Sequence, residues 1–172
     1  MAANVATDTT VTTDTAAVVA RYQGLVYSIC LTHTRSRSDA DDAFQEVFMT
    51  YHRKQPVCSD EEHLKAWLIN TTLTTTRRVA GSAWYKRVVL LGMAEDEAGF
   101  FRSGVEEYDT LFHALMNLPE IYRTVIHLFY VEDLPIGRIA VVLRIEPGAV
   151  KMRLARGRLM LREALHKEDY GV

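Results

Sequence analysis

The part of this chain that most constrains its fold is residues 118–165, where three apolar stripes at helical spacing follow one another. The stripes recur every three or four residues, the period of an α-helix. Only residues 144–146 separate the second stripe from the third, and Pro147 suits the first position of a new helix because no N–H is needed there. The pattern predicts a helix-turn-helix. The members of the stripes are Tyr122, Val125, Ile126 and Phe129; Ile136, Ile139, Ala140 and Leu143; and Val150, Leu154, Leu161 and Leu165.

The last of these helices carries a dense basic face. Residues 144–167 contain seven Lys or Arg and two Glu, a local charge of +5 in a chain whose net charge is −2. A charge run is often only a solvated face. This helix, however, belongs to a predicted helix-turn-helix, a motif that delivers one helix into the major groove of DNA. A DNA-binding face is therefore favoured over a solvated one. Opposite the apolar stripe and on its flanks lie Ala149, Lys151, Met152, Arg153 and Arg156.

These basic side chains divide by the DNA groups that they suit. The first turns of such a helix meet the base edges, so Arg153 and Arg156 are the candidates for reading bases. Lys151 and Arg158 suit phosphates. We therefore predict that the chain binds DNA through this helix.

Composition limits the other classes of function. No apolar run approaches the ~18 residues of a membrane span, which predicts a cytoplasmic protein that does not insert into membranes. Cys30 and Cys58 lie far apart without partners at ligand spacing, so we expect incidental thiols and no metal site. We find no nucleophile–base pair and no Gly-rich phosphate loop, and therefore expect neither a cofactor nor an enzymatic activity.

Charge and helical period together divide the chain. Residues 1–15 have no period and are predicted to be a disordered tail. Residues 16–91 are predicted to form a first helical domain, and residues 110–172 the helix-turn-helix domain. Residues 92–109 form an acidic, Gly-containing linker, which predicts domains that are free to move and touch only weakly in solution. The predicted fold class is all-α, with two small helical domains joined by a flexible acidic linker.

The first domain is predicted to hold three helices. The second of them has Ser38 as its predicted N-cap, and its apolar side chains leave Asp42, Gln45, Glu46 and Met49 on the opposite face. These acids favour a solvated or partner-binding face over a metal site, because nothing supplies matching ligands. In the third helix, five Thr between residues 71 and 76 cost about 2–3 kcal/mol of helix propensity. We still predict a helix there, since a lone strand would have no partner.

The pieces in combination resemble a known family. The segments DADDAFQEVFMTYHR, HLKAWLINTTLTTTRR and LPEIYRTVIHLFYVEDL, followed by GAVKMRLARGR, are similar to a bacterial sigma factor of the extracytoplasmic-function (ECF) type, in the sigma-70 family. The resemblance covers roughly residues 16–166. It implies a region 2-like helical bundle and a region 4-like helix-turn-helix domain, in an alternative sigma factor that binds core RNA polymerase and directs promoter-specific initiation.

The resemblance also assigns roles to residues. It implies that Asp42, Gln45, Glu46 and Met49 dock on core RNA polymerase. It implies that the last helix reads the −35 element of promoter DNA. The helix that meets the −10 element would use Trp67, Asn70, Thr74, Arg77 and Arg78. Three positions depart from the family pattern, since Asn70, Thr74 and Arg78 stand where related sequences tend to have Arg, Asn and Asp.

Two other hypotheses for the function remain open at this point. The chain could be a helix-turn-helix regulator that never engages polymerase, or a degenerate sigma factor that acts as an interaction protein without opening promoters. The resemblance further implies an anti-sigma factor as a partner, which would hold the two domains in a compact arrangement.

Overall fold

The computed structural model describes residues 14–86 and 106–169, and within them the chain folds into seven α-helices. The predicted all-α class is confirmed. The predicted tail, apart from its last two residues, and most of the predicted linker lie outside the described residues. The helices are α1 Thr15–His33, α2 Arg37–Lys54, α3 Glu61–Lys86, α4 Glu106–Met116, α5 Glu120–Tyr130, α6 Ile136–Leu143 and α7 Pro147–Asp169.

Helices α1, α2 and α3 form the first bundle, and each packs on the other two. The side chains that α2 turns inward are those at its helical apolar positions, with Val47 fully buried and Tyr51 nearly so. Burying an apolar side chain of this size stabilises the fold by about 1.5–3 kcal/mol. The core of the bundle consists of Val18, Tyr22, Val26, Cys30, Ala40, Ala43, Val47, Phe48, Tyr51, Leu64 and Leu68.

The threonine-rich segment of α3 is helical, as predicted. Thr72 and Thr76 are fully buried, and each hydroxyl donates to a carbonyl oxygen of the preceding turn, at 2.7 Å to Leu68 and 3.0 Å to Leu73. A buried hydroxyl without a partner is costly, and this back-bonding satisfies it inside the helix. Packing of the buried threonines therefore outweighs their low helix propensity.

The N-cap of α2 differs from the prediction. Ser36, not Ser38, has an extended backbone and accepts a hydrogen bond from the Asp39 N–H at 3.0 Å. Both serines stand three residues before an aspartate, so the pattern alone fits either. Ser36 is selected because it is buried at the corner between α1 and α2.

The helix-turn-helix has the predicted bounds. Helix α6 ends at Leu143, α7 begins at Pro147, and Arg144 closes α6 in the left-handed conformation at φ 54°. Its N–H and that of Ile145 bond back to carbonyl oxygens of α6, which satisfies the end of the helix. Helix α5 crosses α7 closely at Gly157, where an added Cβ would lie 2.7 Å from the Cδ1 of Ile126.

The two bundles pack against each other, contrary to the prediction of weak contact. Helix α1 touches α5, and α3 touches α6. Ile29, Ile69 and Leu73 of the first bundle are at most 3% exposed and belong to one apolar cluster with residues of α5, α6 and α7, which we call the shared cluster. The prediction was wrong because it considered only the linker and ignored a second apolar face on α1 and α3. Helix α4 also begins at Glu106, inside the segment predicted to be linker.

Candidate DNA and polymerase interfaces

The start of α7 presents the basic face that the sequence predicts for the upstream DNA element. Val150 and Leu154 are buried against the other helices, which fixes the rotation of α7. The opposite side then faces solvent, with Lys151 and Arg156 exposed. Met152 is also exposed, at 51% of its surface. Arg153 is half-buried beside them.

None of Lys151, Arg153 and Arg156 forms an ion pair with another described residue. Their charges are therefore available to a ligand, which is the state that binding to phosphates and base edges requires. Arg158, exposed one turn further on, lies 3.4 Å from the Tyr130 hydroxyl and can be held beside α5 by it. Ala149 is half-buried at the turn into α7.

The outer side of α2 carries the residues predicted to dock on polymerase. Asp42, Gln45 and Met49 are exposed, and Glu46 is half-buried. They line an open groove between α2 and the end of α3, to which α3 contributes Arg78. Met49, at 56% exposure, places an apolar side chain within this polar rim. An exposed apolar group ringed by polar ones is typical of a protein interface.

The two predicted docking carboxylates are not equivalent. Glu46 lies 3.1 Å from the guanidinium of Arg53 and 3.8 Å from that of Arg78. Asp42 forms no ion pair with another described residue, so its charge is available to a partner. Arg78, predicted to meet the −10 element, also lines this groove.

The predicted −10 residues of α3 have other partners in this structure. Trp67 is half-buried and packs edge-on against Tyr51 at 5.9 Å between ring centroids. The Asn70 amide donates to the Val142 carbonyl oxygen of α6 at 2.9 Å, and Arg77 lies 2.5 Å from Glu120 of α5. Thr74 is exposed, and its hydroxyl donates back to Asn70. The second bundle therefore covers part of the predicted −10 face.

A buried polar cluster between α1 and α5 was not predicted from the sequence. We call it the histidine cluster: Ser28, Thr32, His33, Thr124, His127 and Glu132. His33 and His127 are 8% and 2% exposed, and their rings meet edge-on at 6.1 Å between centroids. Each histidine lies on a helix with an apolar stripe, and the spacing of that stripe does not identify the histidine as part of a polar cluster. Only the fold brings the two together.

Hydrogen bonds of the histidine cluster cross between the bundles. His127 contacts the Thr32 hydroxyl at 2.9 Å, and Ser28 donates to Glu132 at 2.5 Å. The second histidine, His33, lies 2.9 Å from the Thr124 hydroxyl. Its other ring nitrogen faces the Ile29 carbonyl at 3.0 Å and must donate to it, because a carbonyl only accepts.

Burial fixes the protonation of His33. Desolvation, reinforced by the nearby cation Arg123, lowers the pKa of His33 to about 3. The neutral ring then has one N–H for Ile29 and one lone pair for the Thr124 hydroxyl, which matches the contacts. The pKa of Glu132 is also lowered, through its hydrogen bonds with His127 and Ser28, which outweigh its burial.

A buried thiol, that of Cys30, lies in the core of the first bundle. Burial raises the pKa of the Cys30 thiol to about 12, so this cysteine is unreactive while the bundle is folded. Among the described residues, no three His, Cys, Asp or Glu side chains are grouped so that they could hold a metal ion. No helix in the described part of the chain is long and apolar enough to span a membrane.

Comparison with known families matches both bundles. The model of sigma-70 region 2 matches residues 18–85, and the model of sigma-70 region 4 matches residues 108–161. The chain thus has the two conserved regions of one class of protein, the bacterial transcription initiation factors.

Individual relatives agree with this class. The chain is 29% identical over 165 residues to the ECF RNA polymerase sigma factor SigW of Bacillus subtilis, covering 86% of this chain and 87% of SigW. It is 27% identical over 158 residues to the ECF RNA polymerase sigma-E factor of Haemophilus influenzae, covering 84% of this chain and 83% of that one.

Solved structures share the fold. The sigma factor RpoE in complex with the anti-sigma factor NepR from Bartonella quintana matches with a TM-score of 0.70 at 21% identity, over 90% of this chain and 98% of that chain. CnrH in complex with the cytosolic domain of CnrY matches with a TM-score of 0.67 at 21% identity, over 88% of this chain and 87% of that chain.

The two family models and the relatives together identify the chain. It belongs to the sigma-70 family, and within it to the ECF sigma factors.

Proposed function

We propose that this sigma factor docks on core RNA polymerase through the outer side of α2 and reads the −35 element through the start of α7. One observation carries the proposal: a single chain exposes the carboxylate of Asp42 and the cations Lys151 and Arg156 of α7, and none of the three has an ion-pair partner among the described residues. A regulator that never meets polymerase needs the second surface but has no use for the first. In this account the domains have the predicted bounds 16–91 and 110–172, with α4 extending the second domain back to Glu106.

The assignment at α7 follows from the orientation of the helix. Its buried side holds it on α5 and α6, and its outer side offers Arg153 and Arg156 for base edges, with Lys151 and Arg158 for phosphates. Ala149 and Met152 supply the close, apolar part of this surface. We assign the −10 element to α3, through Trp67, Asn70, Thr74, Arg77 and Arg78.

Other parts of the proposal follow from the family. The protein acts in the cytoplasm, needs no cofactor and has no catalytic activity of its own. We also propose an anti-sigma partner, because RpoE and CnrH, which share the fold, were solved in complexes with NepR and CnrY, and NepR is described as an anti-sigma factor. Purification of the protein from its host would test this, with an associated protein that displaces core polymerase as the expected result.

Reconstituted transcription tests the function itself. Core polymerase with this protein should give a discrete run-off transcript from a promoter selected from random DNA, and core polymerase alone should not. A chain that binds the selected DNA but supports no transcript would be a helix-turn-helix regulator or an interaction protein instead.

Charge reversal tests the docking surface. Asp42→Lys should weaken binding to core polymerase by about 2–5 kcal/mol, if the carboxylate is buried against a partner charge in the complex. Folding should be unaffected, because Asp42 is exposed. Glu163→Lys makes the same change in net charge at an exposed position of α7 and serves as the control. Equal binding by the two variants in a pull-down would remove Asp42 from the interface.

A further inference from the structure

Contacts between the two bundles cover α3, the helix proposed for the −10 element. Asn70 donates its amide to the Val142 carbonyl oxygen, and Arg77 pairs with Glu120. A third contact joins Arg138 of α6 to Glu62 of α3. Two of the five proposed −10 residues are therefore occupied by the chain itself, and promoter DNA would have to displace the second bundle to reach them.

The covering contact has an apolar and a polar part. Ile29, Ile69 and Leu73 lie in the shared cluster, so separating the bundles exposes them to water. Beside them the histidine cluster satisfies buried polar groups from both sides. The bonds that cross between the bundles are lost together when α1 leaves α5, since each of His33, Thr32 and Ser28 bonds to a residue of the second bundle.

We propose that this contact is an autoinhibitory closure, which covers the −10 face of α3 in the free protein and loosens as the pH falls. The inhibitory part rests on the proposed role of α3. The closure itself rests only on the contacts between the bundles.

The sign of the pH dependence follows from His33. Arg123 and His127 of α5 and Arg77 of α3 all disfavour a proton on its ring in the closed state. Opening moves α5 away and returns the pKa of His33 toward its ordinary 6.5. Below that pH His33 binds a proton in the open state but stays neutral in the closed state, where its pKa is about 3. Acid therefore favours opening.

Glu132 acts in the same direction at lower pH. Its pKa is lowered in the closed state by His127 and Ser28, with Lys65 of α3 also nearby. The contribution of this carboxylate to closure is present above its ordinary pKa of 4.5 and is lost as the pH falls below it. Between pH 7.5 and pH 5.5, above the ordinary pKa of Glu132, the change at His33 should raise the ratio of open to closed protein roughly tenfold.

Thiol labelling measures the opening directly. Ile69→Cys, in a Cys58→Ser background, places a thiol in the shared cluster, where only separation of the bundles exposes it. The native Cys30 lies in the core of the first bundle and reports unfolding of that bundle in the same molecule. We expect the introduced thiol to react much faster than Cys30. Equal rates would mean that the bundles do not open separately, and would overturn the closure.

The pH dependence is measured with the same readout, and the labelling rates are normalised to that of an unstructured cysteine peptide. Labelling at the introduced thiol should accelerate about tenfold from pH 7.5 to pH 5.5. His33→Gln keeps a polar side chain there and should abolish most of that acceleration. A full response in His33→Gln would overturn the assignment to His33. Leu73→Cys repeats the measurement if Ile69→Cys does not fold.

A second pair of variants separates closure from inhibition. Arg138→Glu places two carboxylates together and should speed labelling a few-fold, as expected for an exposed ion pair. Adding Glu62→Arg should restore the slow rate. The opened variant should also bind single-stranded −10 DNA more tightly. Faster labelling without tighter binding would contradict the inhibitory role and the −10 assignment of α3, while unchanged labelling would contradict the closure.

Discussion

The two helices proposed to read promoter DNA, α7 and α3, differ in how accessible their polar faces are. The outer face of α7 is open, and Lys151, Arg153 and Arg156 have no ion-pair partner among the described residues. The polar face of α3 is partly occupied by the second bundle, through Asn70 and Arg77. A polar helix face is thus not always accessible to DNA. Its accessibility depends on whether the fold packs another element onto it.

The largest expected effect concerns what holds α7 in place. Leu154→Ala should lower the free energy of unfolding by about 2–5 kcal/mol, because the side chain is 3% exposed and its removal leaves a cavity. Leu159→Ala, at a position that is 46% exposed, should change it by less than about 0.5 kcal/mol. Chemical denaturation of the two variants checks this. Similar losses would mean that α7 is rotated from the orientation described.

The next effect concerns what α7 reads. Arg156→Ala should weaken binding to the best −35 sequence by about 1–3 kcal/mol, if the guanidinium is bidentate to guanine. Binding to altered sequences should weaken by less. Lys151→Ala should weaken all sequences alike and reduce the salt dependence by about one phosphate contact. Binding titrations at two salt concentrations measure both. A uniform loss in both variants would make α7 an electrostatic clamp without base reading.

The smallest effect concerns the covered face of α3. Asn70→Ala removes a hydrogen bond to α6 and should favour opening of the bundles by about 0.5–1.5 kcal/mol. Thr74→Ala is the matched control, since the Thr74 hydroxyl bonds only within its own helix. Labelling of the thiol introduced by Ile69→Cys measures the difference. If Thr74→Ala speeds labelling as much, the Asn70 amide does not hold the bundles together.

The sequence predicted the local features of this fold well. The helix-turn-helix bounds follow from apolar spacing and from Pro147, and both signals are local. The threonine-rich part of α3 was predicted correctly because pairing partners for a strand were lacking. The N-cap of α2 was placed two residues late, because Ser36 and Ser38 fit the same pattern and only burial distinguishes them.

The sequence did not predict the contact between the bundles. That contact depends on Ile29, Ile69 and Leu73, whose apolar character is equally consistent with the core of their own bundle. The histidine cluster joins residues about a hundred positions apart, such as Ser28 and Glu132. No periodicity links such residues. For the same reason the sequence could not show that Asn70 and Arg77 are occupied, or that Arg78 lies beside Glu46.

Binding of the free protein to each promoter element, at one stated salt concentration, tests the central contrast most directly. Duplex DNA with the −35 sequence should bind the free protein, while single-stranded −10 DNA should bind weakly until Arg138→Glu or core polymerase opens the bundles. Tight binding of single-stranded −10 DNA by the unmodified free protein, equal to that of Arg138→Glu, would contradict the account.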